Sequence, residues 1–174
     1  MNKLYILCGI PFSGKTILAK KIAENPDFVR VDLDEVKFDL FGHDIKDSEI
    51  NQEGWNKVYQ EMYRRIEGFL RQGKNVVNDT GNFTKRERNL VKQIADKLSL
   101  ETAVVFVSTP EKIAHERLLK NRQAKERFDV DDEDFKQTVA EMEIPTEEEN
   151  TIIYNYGESL DNWVREKIWK ENPR

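Results

Sequence analysis

The 174-residue sequence holds one cysteine and two histidines. A single thiol cannot form an internal disulfide. No Cys/His cluster has metal-ligand spacing either, so disulfide scaffolds and structural zinc sites are excluded. No apolar run approaches the roughly 20 residues that cross a bilayer. The opening Met1-Asn2-Lys3 and its short apolar sequel have no small-residue cleavage site. Positive charge is not in surplus: 28 Lys and Arg face 33 Asp and Glu, a net −5. That balance disfavours broad binding to nucleic acid or anionic membrane. It does not prevent docking of one phosphate-bearing end, because local charge can differ from the net. Internal repeats, low-complexity tracts and Gly/Ser linkers are also missing. A cytoplasmic protein without membrane contact is expected, folding as one domain over residues 1–174.

What is present is a regular alternation of element signals. Leu4 to Cys8 is an apolar run without polar alternation, as in a strand buried on both faces. A helix begins near Lys15 and ends at Asn25-Pro26-Asp27. Val29 to Val31 is a second strand, closing at Asp32. Trp55, Val58, Tyr59, Met62, Ile66, Phe69 and Leu70 recur at three- and four-residue spacing and predict a long amphipathic helix. Val76-Val77 is a third strand, followed by Asn78-Asp79-Thr80-Gly81-Asn82 as its loop. Thr84 and Glu87 form a capping box that opens a helix through Leu90, Val91, Ile94 and Leu98. Ala103 to Val107 is a fourth strand, and Pro110 sits in the first turn of the next helix. A short helix through Phe135 and Val139, a fifth strand at Thr151 to Tyr154, and a helix from Leu160 to Ile168 complete the order. Strands alternating with helices predict a parallel sheet covered on both faces, with ligands beyond the strand carboxyl ends. Gly9, Asp32 and Asp79 all fall there.

Gly9-Ile10-Pro11-Phe12-Ser13-Gly14-Lys15-Thr16 fits G-x-x-x-x-G-K-[ST] between a strand and a helix. Glycines let backbone N–H groups turn around a phosphate, and the helix N-terminus adds its positive dipole end. Lys15 is expected to reach the β- and γ-phosphates, and Thr16 to place its hydroxyl on Mg²⁺. The nucleotide site is expected to comprise Gly9, Pro11, Ser13, Gly14, Lys15, Thr16 and Ile17. Phe12 is bulky for such a loop and is expected to point away from the phosphates. Cys8 is expected to be buried and inert. Asn-Lys-x-Asp is missing, which counts against a GTPase.

Asp32 and Asp34 follow the second strand. Either is a candidate to take a proton from an acceptor hydroxyl, Asp34 first, although one of them could simply N-cap the next helix. Asp79 stands where the Mg²⁺-side carboxylate of a phosphate-loop protein belongs, or shapes an Asx turn. Asn82 could bond a ligand or only the turn. Lys112, Arg117, Lys120, Arg122, Lys125 and Arg127 fall within sixteen residues. They read as a lid that brings arginine to the transferring phosphoryl group, or as a solvated, ion-paired helix. His43 and His115 read as packing residues.

GIPFSGKT, Asn25-Pro26-Asp27-Phe28 with Asp34 and Lys37, and Asn78-Asp79-Thr80-x-Asn82 together resemble the kinase domain of phage polynucleotide kinase. The wider group of small phosphate-loop kinases around it includes zeta-toxin-like kinases and chloramphenicol phosphotransferase. The basic stretch at Asn121-Arg122 and the segment Met142 to Glu149 are similar too. The resemblance implies that Asp34 is the general base, that Lys37 grips an acceptor phosphate, and that Asp79 helps position the acceptor. It implies that Arg122 is the lid arginine, with Arg117 and Arg127 as alternatives. Lys37 lacks the bidentate fork of the arginine found there, and the segment from His43 to Arg71 has its own sequence.

The expected fold is therefore a three-layer α/β/α P-loop NTPase sandwich of the nucleoside-kinase type with five parallel strands. An acceptor-site insert is expected at about residues 43–72 and a lid at about 117–132. The expected activity is ATP- and Mg²⁺-dependent transfer of the γ-phosphoryl group to a hydroxyl, with a small molecule favoured as acceptor. The site residues would be Lys15, Asp34 and Arg122 for catalysis, Arg117 and Arg122 on the nucleotide, and Asp32, Lys37, Asp79 and Asn82 on the acceptor. The rivals are a polynucleotide 5′-hydroxyl kinase and an ATP-binding regulator that transfers nothing.

Overall fold

The computed structural model describes residues 1–124 and 130–170. Five parallel strands are arranged β2-β3-β1-β4-β5: β1 Lys3–Cys8, β2 Phe28–Asp32, β3 Asn75–Asp79, β4 Glu101–Ser108 and β5 Thr151–Asn155. The helices are α1 Lys15–Ile22, α2 Leu33–Phe41, α3 Gln52–Arg71, α4 Lys85–Lys97, α5 Glu111–Ala124, α6 Asp132–Glu141 and α7 Leu160–Val164. The expected α/β sandwich with five parallel strands is the fold observed.

Side-chain alternation along the central strand builds the layers. Leu4, Ile6 and Cys8 of β1 face a core shared with Val58, Met62, Ile66 and Leu70 of α3 and with Val91 and Ile94 of α4. Tyr5 and Leu7 face the opposite core, with Leu18 and Ile22 of α1 and Trp163 and Val164 of α7. Both faces of β1 are buried, which explains its unbroken apolar run. A third cluster joins Ile10 of the loop after β1 to Ala114 and Leu118 of α5 and Phe135 of α6, with Phe12 packed against it. Phe12 thus points into apolar packing, as expected.

The α3 stripe is part of this central core. Segment 43–72 is therefore no separate excursion: its helix forms one layer of the sandwich and keeps a single face free. The first eight residues of the expected lid, 117–124, are the last turns of α5. Residues 125–129, which include Lys125 and Arg127, lie outside the described residues.

Two boundaries and one helix stripe depart from the sequence reading. Asn78 and Asp79 belong to β3, where Asn78 pairs with Ile6 and Asp79 with Asp32; they are not its loop. Polar side chains at a sheet's carboxyl end weaken the apolar strand signal without breaking the ladder. The C-terminal helix keeps α geometry only to Val164 and continues to Trp169 as a π-turn. Leu90 of α4 is exposed, its stripe place taken by Arg88.

The sheet order reverses at β1. The chain passes from it to β2 and β3 on one side, then to β4 and β5 on the other. Loops leaving β1 part in opposite directions there and open a crevice beyond the strand ends. Residues 9–16 fill that position. Among the described residues, no helix is long and apolar enough to cross a membrane.

Candidate active site

Gly9 to Thr16 wraps the end of β1 as a tight loop. A Cβ on Gly9 would lie 2.8 Å from Ser13 Oγ and 2.9 Å from the Val107 carbonyl, so only glycine lets the loop close on β4. Gly14 (φ 108°) caps α1 without a side-chain bond, leaving the first helical N–H groups for a ligand. From α5, Arg117 donates to the carbonyls of Phe12 at 3.1 Å and Ser13 at 3.0 Å. Thr109 Oγ1 donates to Ser13 O at 2.8 Å. A trans peptide points its N–H opposite its C=O, so fixing the Ser13 carbonyl toward α5 turns the Gly14 N–H the other way. Ser13 Oγ is buried with no hydrogen-bond partner among the described residues. Lys15 Nζ lies on the carbonyls of Gly9 (2.7 Å) and Ile10 (2.9 Å) and 5.6 Å over the Phe83 ring. An unpartnered hydroxyl, uncapped helix N–H groups and a lysine held on loop carbonyls all fit an anionic ligand such as a polyphosphate. Pro11 is half-buried on the loop, and Ile17 is exposed on the first turn of α1.

The neighbouring strand ends gather carboxylates. Thr16 Oγ1 is 3.5 Å from Asp79 Oδ1. Arg30 Nε holds Asp79 Oδ2 at 2.7 Å, Arg30 Nη1 holds Glu35 at 2.5 Å, and Arg30 also pairs with Asp32. One guanidinium among three carboxylates leaves an excess of negative charge beside the Thr16 hydroxyl. Thr16 and Asp79 are the groups that could hold a divalent cation here. No cluster of three metal-ligating side chains exists among the described residues. That suits Mg²⁺, which usually takes one or two protein groups and completes its shell with water and phosphate.

Asp32 caps α2: its Oδ1 accepts from the N–H of Asp34 at 2.7 Å and of Glu35 at 3.3 Å. The same carboxylate also pairs with Arg30. Asp34 is exposed on the first turn, where Lys37 Nζ reaches its Oδ1 at 2.9 Å and Asp47 Oδ1 at 2.8 Å. Lys37 is only 1% exposed and also lies over the Phe38 and Trp55 rings. Burial opposes its charge, but the bonds to Asp47 and Asp34 outweigh that and raise its pKa. Lys37 therefore ties Asp34 to the segment before α3. Asn82 is buried and donates to Leu7 O at 2.8 Å and Asn78 Oδ1 at 2.9 Å, so both amide hydrogens serve the turn.

Arg122 does not come to the loop. It bonds Val130 O at 2.7 Å and Asp132 at 3.1 Å. Five residues of helix turn it well away from Arg117, the basic side chain that does meet the loop. Arg117 also stacks 5.8 Å from the Tyr156 ring, just beyond β5. His43 is exposed against Phe38, and His115 packs on Phe135 beside Asp132.

Two arginines escaped the sequence reading. Arg30 is one; Arg88, 1% exposed, is the other. Arg88 donates to both Glu149 oxygens (2.7 and 3.0 Å) and to the carbonyls of Asn82, Phe83 and Glu143 (3.1, 3.2 and 3.0 Å), and its Nη1 is 3.6 Å from Cys8 Sγ. It pins the loop bearing Phe83, and through Glu149 the segment before β5, to the end of β1. Its place on the stripe Arg88, Val91, Ala95, Leu98 was the available signal: a charge at helical spacing with core residues. Burial pushes the Cys8 thiol up to about 11, against the pull of Arg88 and Lys15, so it is an inert packing residue.

Beside the loop lies an open groove of about 910 Å³ between α3, residues 80–84 and the first turns of α4. Phe83, under the Lys15 ammonium, is part of its wall.

A family described as "AAA domain" matches residues 4–145. No curated protein matches the sequence. Among solved structures, a provisionally named kinase of Chloroflexus aurantiacus is 17% identical with a TM-score of 0.76, over 98% of this chain and 97% of that one. The Mycobacterium tuberculosis APS kinase CysC, in complex with AMPPNP and APS, is 14% identical with a TM-score of 0.68, over 99% and 98%. A chain of the Pnkp1/Rnl/Hen1 RNA repair complex is 19% identical with a TM-score of 0.66, over 80% of this chain and 43% of that one. The fold is that of P-loop kinases.

Proposed function

The chain belongs to the AAA-domain family, and we propose that it is a kinase that moves the γ-phosphoryl group of ATP to the hydroxyl of a small acceptor. The supporting observation is a nucleotide loop that opens onto a second cavity: Lys15 lies over Phe83, and Phe83 walls the adjoining groove. A phosphate loop alone serves any nucleotide; a groove beside its lysine provides for an acceptor.

The backbone N–H groups from Gly14 onward and the Lys15 ammonium bind the phosphates. Lys15 exchanges the Gly9 and Ile10 carbonyls for phosphate oxygens. Thr16 and Asp79 are the residues that would hold Mg²⁺, which would supply positive charge beside the phosphates. Arg117 keeps the loop carbonyls turned toward α5 and, with Tyr156, offers flat surfaces to the nucleotide. Asp34 accepts the proton of the acceptor hydroxyl, and Lys37 holds its carboxylate in place. Positioning and fixed charge do most of the work. Arg122 is a candidate to swing from Asp132 to phosphate.

The test is transfer of label from γ-labelled ATP to pooled small hydroxyl compounds, run beside a 5′-hydroxyl oligonucleotide. Asp34→Asn is expected to lower transfer by about 10²–10⁴-fold, the usual contribution of a general base. Transfer equal to wild type in that variant removes Asp34 from the mechanism, and nucleotide binding without any transfer favours the regulator. Label on the oligonucleotide alone makes the protein a polynucleotide kinase.

Lys37→Met separates two roles for that lysine. Acting through Asp34, its loss lowers kcat by about 10–100-fold with little change in either KM, as a misplaced catalytic group does. A selective rise in the acceptor KM would instead mean that Lys37 grips the acceptor.

A further inference from the structure

The groove beside Lys15 carries enough chemistry to name what it accepts. Tyr59, Tyr63 and Phe83 give it aromatic faces, and Gln52, Asn56 and Gln60 give it amides. Five of these recur at i, i+4, i+7, i+8 and i+11 along α3, so they stand on one face of the helix. The adjoining stripe of α3, with Val58, Met62 and Ile66, is locked into the core, and Met62 reaches the groove as well. The recognition surface is therefore carried on a rigid element. The Tyr59 and Tyr63 rings lie 6.2 Å apart at 41°. Burial raises both phenol pKa values, which keeps both as neutral hydrogen-bonding groups.

The charged lining cancels. Lys85 and Arg86 stand against Glu87 and Glu143, and Lys85 is further drawn to Glu148 at 3.7 Å. An acceptor that already bears a phosphate calls for an arginine cluster, and a nucleic-acid strand calls for a basic track. This groove has neither. Rings that cover C–H faces, beside amides that both donate and accept, suit a ligand dense in hydroxyls and free of charge.

Resting on the kinase reading above, we propose that the groove binds a neutral polyol: a free sugar, sugar alcohol or cyclitol. One hydroxyl lies at the Phe83 end, next to Lys15. Its oxygen attacks the γ-phosphorus, the bond from that phosphorus to the bridging oxygen breaks, and ADP leaves with the electron pair. The hydroxyl proton passes to Asp34. The product is a polyol phosphate ester, so the reaction class fits the first, trapping phosphorylation of an uncharged carbohydrate.

The experiment offers γ-labelled ATP and the full chain three acceptor sets: neutral polyols, their monophosphates, and a 5′-hydroxyl oligonucleotide. ATP binding is followed separately by thermal shift. Label is expected in a neutral polyol. Tyr63→Ala and the exposed Gln60→Ala are each expected to raise the KM of that polyol about tenfold or more, the scale of one lost pocket contact. Tyr63→Phe restores stacking and most of the affinity, and the KM for ATP stays within about twofold in all three. Label in the monophosphates or the oligonucleotide, in none of the polyols, or a polyol KM indifferent to both Tyr63→Ala and Gln60→Ala overturns the polyol. Asp34-dependent transfer to another set would leave the kinase reading standing. A chain that does not bind ATP fails that reading itself.

Discussion

Arg88→Ala is expected to cost about 3–5 kcal/mol of folding stability, the usual loss when one partner of a buried ion pair is removed. Arg88 and Glu149 are 1% and 8% exposed at their side chains, so the carboxylate left behind would be buried and unpaired. The same substitution releases the carbonyls of Asn82, Phe83 and Glu143. Glu149→Leu alone should also destabilise, by stranding the guanidinium. Arg88→Met with Glu149→Leu should recover part of the loss, because an apolar pair leaves no buried charge.

The pH dependence has a fixed sign. The bond from Arg88 holds the Glu149 carboxyl below its ordinary 4.5. A depressed folded pKa contributes stability that is complete above the unfolded value and is lost as pH falls through the folded one. In Arg88→Ala the bond is gone and burial acts on Glu149 to raise its pKa. The difference in stability between wild type and variant should therefore be largest near neutral pH. It should begin to shrink above pH 4.5 as the variant's carboxyl protonates, and go on shrinking below it. Urea unfolding at a series of pH values measures this. Parallel curves down the acid limb would mean that the pair contributes nothing through its charge.

Lys15→Ala is expected to lower both transfer and nucleotide binding. Its ammonium is the positive side chain lying on loop carbonyls at the end of β1. Removing one preorganised donor to the transferring group costs about 10²–10³-fold in rate. Because Lys15 stands at the mouth of the loop, the apo protein should keep nearly its wild-type melting temperature. The stabilisation given by ATP, about 2.7 kcal/mol at a hundred times Kd in wild type, should shrink at the same ATP concentration. Full transfer by the variant would remove Lys15 from the phosphate site.

The phosphate loop was legible because its information is local: eight consecutive residues between an apolar strand and a helix. The five parallel strands were legible for a related reason. Leu4 to Cys8 is apolar without alternation because both faces are covered, and α3 shows its buried stripe at helical spacing. Partners distant along the chain were not legible. Arg88 and Glu149 are 61 residues apart, and Arg30 and Asp79 are 49 apart. No local pattern says that these charges neutralise one another. The resemblance made Lys37 a grip for an acceptor phosphate; its ties to Asp34 and Asp47 were not legible, because Asp47 lies beyond the end of α2. Asn82 and Asp32 were each open to a ligand role or a local structural one, and the structure shows the cap of α2 using Asp32 and the turn after β3 held to β1 by Asn82. Residues that face a ligand and residues that satisfy a turn are of the same types, so spacing alone does not separate them. Arg117 was one of three candidate arginines, and α5 brings it to the loop while turning Arg122 toward Asp132.

A kinase of the kind proposed sends the phosphoryl group to an acceptor and not to water. The most direct test is the partition of γ-phosphorus from labelled ATP between ester and inorganic phosphate, with neutral polyols present and then withheld. ADP formation is expected to rise at least about tenfold with acceptor, ester to form one for one with ADP, and both to fall in Asp34→Asn. ADP formed at one rate with or without acceptor, with all label in inorganic phosphate, would make the protein a nucleotide hydrolase and contradict the account.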